Sequence, residues 1–148
     1  MSLSTKHRST LAASSALALA QKAFEIGTDM QVAISIAVVG ASAERLTTAS
    51  MDDATMHSRE TSLKKAQTAA STRRATGWMS GSLAVELPMA SGGLLTNVPG
   101  GFPITIDGVV VGGLGIAGGT VEQDAQIATA VLNAFLPETT EAKRGDGV

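Results

Sequence analysis

The sequence predicts an α+β domain in which helices pack on a central antiparallel sheet of about five strands. Apolar residues recur at helical spacing near both ends of the chain, and alternating apolar segments between them are separated by short turns. The Asp107-Gly108 pair also lies between two apolar runs, as in a tight hairpin. Because a parallel neighbour needs a long crossover, strands joined by short turns predict antiparallel pairing.

The composition favours one domain that associates with copies of itself. The 148 residues include 11 Lys+Arg, 13 Asp+Glu and no cysteine, for a net charge of −2. These counts exclude thiolate metal sites and disulfides, and they argue against nucleic acid as a partner. No apolar run reaches the roughly 18 residues of a membrane span. Because 44% of the residues are hydrophobic and only 16% are charged, we expect a homo-oligomer.

The N-terminal segment has two interpretations. Residues 11–20 follow the basic residues 6–8 and end in Ala-x-Ala, as in a secretory signal. The same residues begin an amphipathic helix that Ser9 or Thr10 would cap and Gly27 would end. Because the apolar periodicity continues past position 20, we favour the helix and a cytoplasmic location over secretion.

The next elements are a hairpin and a second helix. Residues 31–39 alternate large and small apolar side chains, which predicts a strand packed on both faces. Residues 40–44 form a turn, and residues 45–51 return as the antiparallel partner. Helical spacing then predicts a helix from about residue 55 to 74.

The second half of the chain predicts a short helix at 82–87, a short strand at 94–95 and a hairpin of strands 102–106 and 109–117. In this hairpin the Asp-Gly pair forms a type I′ turn. Thr120 and Gln123 form a capping box for the last helix. The buried stripe of that helix would be Ile127, Ala128, Val131, Leu132 and Phe135. We therefore divide the chain into an N-terminal arm (1–9), one domain (10–136) and a disordered tail (137–148).

The glycine-rich segment allows three interpretations. Residues 113–118 match G-x-G-x-x-G, but no further strand follows to complete a dinucleotide-binding unit. We favour glycines that let another backbone come close. A third interpretation is that the free amides of Gly118, Gly119 and Thr120 hold a carboxylate at the start of the last helix.

Two histidines and a few charged residues are the candidates for chemistry. His57, at the start of the second helix, and His7, in the basic arm, are candidate haem ligands, although each is also typical of a surface residue. Nothing in their spacing indicates a metal site.

Proton-transfer groups are the second class of candidate. Lys65, Asp52 and Asp124 are candidate groups of this kind in an enzyme. The competing interpretations are that Asp52 and Asp53 cap the second helix and that Lys65 belongs, with Lys64, to a solvated cationic face.

The C-terminal segment carries a family resemblance. Residues 100–128, GGFPITIDGVVVGGLGIAGGTVEQDAQIA, resemble the signature of the GlcG/HbpS family, also called DUF336. Shorter segments agree in order: FEIG at 24–27, ISIAVV at 34–39, MDDA at 51–54 and KAQTA at 65–69. The resemblance covers about residues 10–136.

The resemblance implies a profilin-like fold assembled into dimers to octamers. It also implies a binding module for haem, a related tetrapyrrole or corrinoid, or a small carboxylate near a subunit interface, with links to catabolic operons and to PduO-type corrinoid adenosyltransferases. Because the role of most members is unsettled, a catabolic isomerase or lyase is the alternative. Gly40 and Ser50 stand where the family pattern has Asp and Arg.

Overall fold

The computed structural model describes residues 1–136 and has the predicted α+β architecture. Within this part of the chain the sheet has four strands instead of about five. The strand expected at residues 94–95 is absent, because that segment forms a bend and an irregular stretch. The disordered tail predicted at 137–148 lies outside the described residues. The elements are α1 (Ala13–Asp29), β1 (Ser35–Gly40), β2 (Arg45–Ser50), α2 (Ser58–Thr72), α3 (Leu83–Ala90), β3 (Gly101–Ile106), β4 (Val109–Ala117) and α4 (Val121–Phe135).

The sheet is antiparallel throughout and has the order β2-β1-β4-β3. Each predicted hairpin forms, and β1 pairs with β4 to join the two hairpins in the centre. Asp107 and Gly108 have φ values of 50° and 76°, which are the positive angles that a type I′ turn requires. The turn prediction is therefore confirmed.

Helices cover both faces of the sheet. On one face, α1 and α4 pack on a core that includes Ile36, Val38 and Leu114. On the other face, Leu63 and Ala66 of α2 pack on Ala37 of β1. Consecutive residues of a strand point to opposite faces, so β1 is buried along its whole length.

Glycines let α2 lie directly on the sheet. A Cβ atom at Gly115 would overlap the carbonyl oxygen of Ser62, and one at Gly113 would overlap that of Ala66. Gly101 meets the Lys65 carbonyl in the same way. The favoured interpretation of the glycine-rich segment, close approach of another backbone, is confirmed.

The start of α1 differs from the expectation. Ala12 occupies the N-cap position and makes no side-chain cap hydrogen bond. Thr10 instead accepts a hydrogen bond from the Ala41 amide and donates one to Glu44. The capping role predicted for Ser9 or Thr10 is therefore wrong, because the Thr10 hydroxyl is used to hold the turn of the first hairpin.

The end of α1 also lies further along the chain than predicted. Gly27 is buried inside the helix against Met51 and Ile34, and the positive φ angle, 58°, belongs to Gln31. Residues 11–20, which resemble a signal segment, contribute buried side chains to the core, among them Leu19. Within residues 1–136 no helix combines the length and apolarity needed to cross a membrane.

The remaining helices lie where the sequence predicts them, although some of their ends differ. The short helix is found and extends to Ala90, and α2 is shorter than predicted because Arg73 has the left-handed conformation, with φ 58°. The capping box at Thr120 is present, with both reciprocal hydrogen bonds. Phe135 is an exception to the predicted buried stripe, since it ends α4 and is 46% exposed.

Candidate functional site

Lys65 and Asp124 form a buried ion pair. The Lys65 Nζ atom lies 2.9 Å from Asp124 Oδ2 and donates a second hydrogen bond to the Ile116 carbonyl at 2.8 Å. The other carboxylate oxygen of Asp124 accepts from the Gly119 amide at 2.9 Å. The structure thus brings together two of the three predicted proton-transfer residues.

The pair joins α2, β4 and the start of α4. Lys65 is 2% exposed and Asp124 is 3% exposed, so neither group meets solvent in this conformation. Gly100, with φ 122°, leaves room for the ammonium group, because a Cβ there would lie 3.0 Å from Nζ. This burial, together with one hydrogen-bond donor on each oxygen of Asp124, favours a structural role for the pair.

Lys65 is not part of a solvated cationic face. Sequence reasoning grouped it with Lys64, yet the small residues around it, Ser62, Ala66 and Ala69, are all buried on the side of α2 that lies against the glycines. That run of small residues at helical spacing was the signal for burial.

Asp52 and Asp53 lie in an exposed turn between β2 and α2. The Ala54 amide donates to the Met51 carbonyl across this turn, and Asp53 has a φ of 65°. The helix begins only at Ser58, so the predicted capping role for this pair is wrong. Asp52 is not part of the Lys65–Asp124 ion pair.

The amides at the start of α4 are engaged by the chain itself. The Gly119 amide donates to Asp124, and the Thr120 amide donates to Gln123. Gly118 has a φ of 121° and packs on the backbone of residues 33–34. A carboxylate bound at Gly118, Gly119 and Thr120 would therefore have to displace these side chains.

Both histidines are exposed. His57 occupies the N-cap position of α2, and its carbonyl accepts from the amides of Glu60 and Thr61. His7 lies in the exposed segment before α1. Residues 1–136 contain no group of three or more His, Cys, Asp or Glu side chains placed to hold a metal ion.

A cleft of about 230 Å³ opens between β2 and α2. It forms because α2 packs mainly on β4, β1 and β3, and this leaves one face of the edge strand β2 uncovered. Its lining residues are Ile36, Arg45, Thr48, Ala49, Ser50, Arg59, Glu60, Ser62 and Leu63.

Strand register explains which side chains face the cleft. Arg45, Thr48 and Ser50 pair with Val39, Ala37 and Ser35, respectively. Residues directly opposite each other in an antiparallel pair point to the same face, here the face covered by α2. The bulge between residues 38 and 39 brings Arg45 onto this face, and no sequence signal predicted that bulge.

A chain of hydroxyl groups runs from Ser50 on the cleft wall into the core. Ser35 Oγ lies 2.8 Å from both Ser50 Oγ and Ser58 Oγ, and Ser58 donates to the Thr55 carbonyl at 2.6 Å. Since each hydroxyl has one proton, Ser35 donates to Ser58 and Ser50 donates to Ser35. Ser50 therefore presents acceptor lone pairs to the cleft.

The comparisons with known proteins agree with the resemblance. Residues 11–133 match the family model described as "Haem degrading protein HbpS-like". The chain belongs to the HbpS-like family. Corrinoid adenosyltransferase PduO of Salmonella typhimurium is 35% identical over 122 residues, which are 79% of this chain but 36% of PduO. The chain thus spans about a third of the length of that relative.

Solved structures that share the fold of this HbpS-like chain include ORFY and PduOC. The Klebsiella pneumoniae protein ORFY, a DUF336 structure, has a TM-score of 0.82 and 26% identity, and the match covers 91% of this chain and 97% of ORFY. A PduOC:heme complex has a TM-score of 0.81 and 32% identity, with 86% of this chain and 96% of PduOC covered.

Both departures from the HbpS-like sequence pattern lie at the first hairpin. Gly40 ends β1, where a Cβ would collide with the Glu44 side chain. Ser50 lines the cleft, and the wall positions that do carry a guanidinium are Arg45 and Arg59. Sequence reasoning missed these two arginines as a pair, because they are brought to one cleft only by the packing of α2 beside β2.

Proposed function

We propose that this HbpS-like protein is a binding module that holds haem, or a related tetrapyrrole or corrinoid, at a boundary between copies of the chain. The observation that carries the proposal is the cleft between β2 and α2, which combines an apolar wall at Leu63 with two arginines. His57 directly precedes α2, one wall of the same cleft. The haem in the PduOC complex supports the same ligand class.

The residues of the cleft fit a haem whose macrocycle lies mostly outside it. The exposed His57 imidazole is the candidate axial ligand, and the arginines carry the charge that propionates need. The volume of about 230 Å³ is below the roughly 300–1,000 Å³ of pockets that enclose drug-sized ligands. When bound, haem would supply an iron centre capable of electron exchange and ligand binding. The rest of the ring requires cover from a second copy.

An exposed apolar helix supports association of the chain with itself. None of the residues of α3 is buried, and Val85 and Met89 are 62% and 74% exposed. Leu94 adds a further 63% exposed side chain just beyond the helix. Because contiguous exposed apolar surface is typical of interfaces, we propose a homo-oligomer between dimer and octamer in which α3 contacts another copy.

A cytoplasmic location belongs to the same proposal. Leu11 and Leu19, within the segment that resembles a signal, are buried in the core. Cleavage after Ala20 would remove them, so the intact mass of the protein recovered from cells should include these residues. A mature protein that begins at residue 21 would contradict the proposal.

Titration of the purified full chain with hemin tests the haem proposal. We expect a saturable shift of the Soret band, and His57→Ala should weaken the affinity by about tenfold or more if the imidazole binds iron. His7→Ala tests the other candidate ligand, and the substitution that weakens hemin binding identifies the histidine that holds the iron. Cobalamin added during the titration tests whether a corrinoid binds at the same site, because it would then compete with hemin. A spectrum identical to that of hemin with a non-binding protein would reject haem as the ligand.

A further inference from the structure

We infer that the cleft between β2 and α2 is a carboxylate site in which Arg45 and Arg59 bind the anion. Both arginines line the cleft, and within residues 1–136 neither has an ion-pair partner. Lys22 and Arg74, by contrast, are engaged: Lys22 pairs with Glu25, and Arg74 stacks 4.6 Å from the centre of the Trp78 ring. Two unpaired guanidinium groups on one cleft are a natural receptor for a planar anion.

The charge of the lining favours a monoanion. Arg45 and Arg59 contribute two positive charges, and Glu60 on the same wall contributes one negative charge. A carboxylate neutralises the remaining positive charge and can accept two parallel hydrogen bonds from a guanidinium. Inorganic phosphate is a mixture of monoanion and dianion near neutral pH, and the dianion carries more negative charge than the net single positive charge of the lining can neutralise.

The size of the cleft limits what carries the carboxylate. Its volume of about 230 Å³ is smaller than the roughly 300–1,000 Å³ of pockets that enclose drug-sized ligands. That space accepts a free small carboxylate, or one carboxylate arm of a larger molecule such as haem. The inference depends on the proposed function only if the carboxylate belongs to haem.

Ser50, on the cleft wall, adds a hydrogen-bond acceptor for the ligand. Its proton is donated to Ser35, so its free lone pairs can only accept a hydrogen bond. Thr48, also on the cleft wall, makes no side-chain hydrogen bond within the described residues. A carboxylate that also carries a hydroxyl group should therefore bind more tightly than its counterpart without one.

The test measures backbone amide NMR shifts of the full chain during titration with butyrate, 3-hydroxybutyrate and inorganic phosphate. We expect saturable shifts at residues 45–50 and 58–63 with both carboxylates. Arg45→Gln and Arg59→Gln should each weaken binding by about tenfold or more, the usual consequence of losing a charged hydrogen bond. Lys64→Gln removes the same charge from α2 outside the cleft and should leave the affinity unchanged.

The outcomes separate this inference from the haem proposal. If hemin fails to bind while butyrate affinity depends on the arginines, the carboxylate site stands and the haem proposal falls. If hemin also binds more weakly to both arginine variants, the haem propionates are a source of the carboxylate. The inference is overturned if the arginine variants bind butyrate as the wild type does, or if phosphate binds more tightly than either carboxylate. Equal affinities for butyrate and 3-hydroxybutyrate would reject the role of Ser50.

Discussion

Substitution of Gly115 by alanine should destabilise the fold strongly, because α2 lies directly on that residue. The added Cβ would overlap the Ser62 carbonyl oxygen and would lie 2.7 Å from the Ala66 nitrogen and 3.0 Å from Lys65 Cβ. Since non-bonded carbon atoms pack at about 3.5–4.0 Å, α2 would have to move outward by about 1 Å. The obstacle is helix backbone, so rotation of a side chain cannot relieve it.

We expect Gly115→Ala to lower the free energy of unfolding by about 3 kcal/mol, which is at the upper end of the range for overpacked cores. For a chain of this size this corresponds to a fall in Tm of about 6–12 °C. Urea denaturation followed by circular dichroism measures the loss. Gly81→Ala is the control, because Gly81 has a φ of 59° but nothing within 4 Å of the position that an added methyl group would take, so that only backbone strain of about 1 kcal/mol is expected. A Gly115→Ala protein no less stable than Gly81→Ala would refute the close packing of α2.

Two further predictions concern the buried ion pair and the exposed helix. Lys65→Met should cost about 3–5 kcal/mol of unfolding free energy, because it leaves the Asp124 carboxylate buried without its cation. The double variant Lys65→Met/Asp124→Leu should lose less than the sum of the single variants in urea denaturation, whereas simple additivity would contradict the pairing. Val85→Asp/Met89→Asp should lower the mass measured by light scattering without changing the circular dichroism spectrum, because both side chains are exposed in the single chain. An unchanged mass would show that α3 is not the contact between copies.

Local signals predicted most of the elements. The Asp107-Gly108 turn and the capping box at Thr120 depend on backbone geometry within a few residues, and both occur as expected. The ends of α1 were predicted less well, because Thr10 is drawn to the first hairpin and Gly27 is accommodated inside the helix by packing.

The candidate site was predicted only in part. Lys65 and Asp124 were singled out as separate residues, but their contact joins positions 59 apart in the chain. The pairing of Arg45 and Arg59 across a cleft depends on a strand bulge and on the side of the sheet where α2 packs. Neither feature has a local sequence pattern.

The α+β class, the order of the elements, the hairpin turn and the family can all be recognised in the amino-acid sequence. Those properties follow from periodicity and turn chemistry, which act between near neighbours. The burial of Lys65, the contact of α2 with Gly115 and the uncovered face of β2 become visible only in the folded chain. These features depend on packing between segments that are far apart in the sequence, because a side chain is buried only when other residues pack against it.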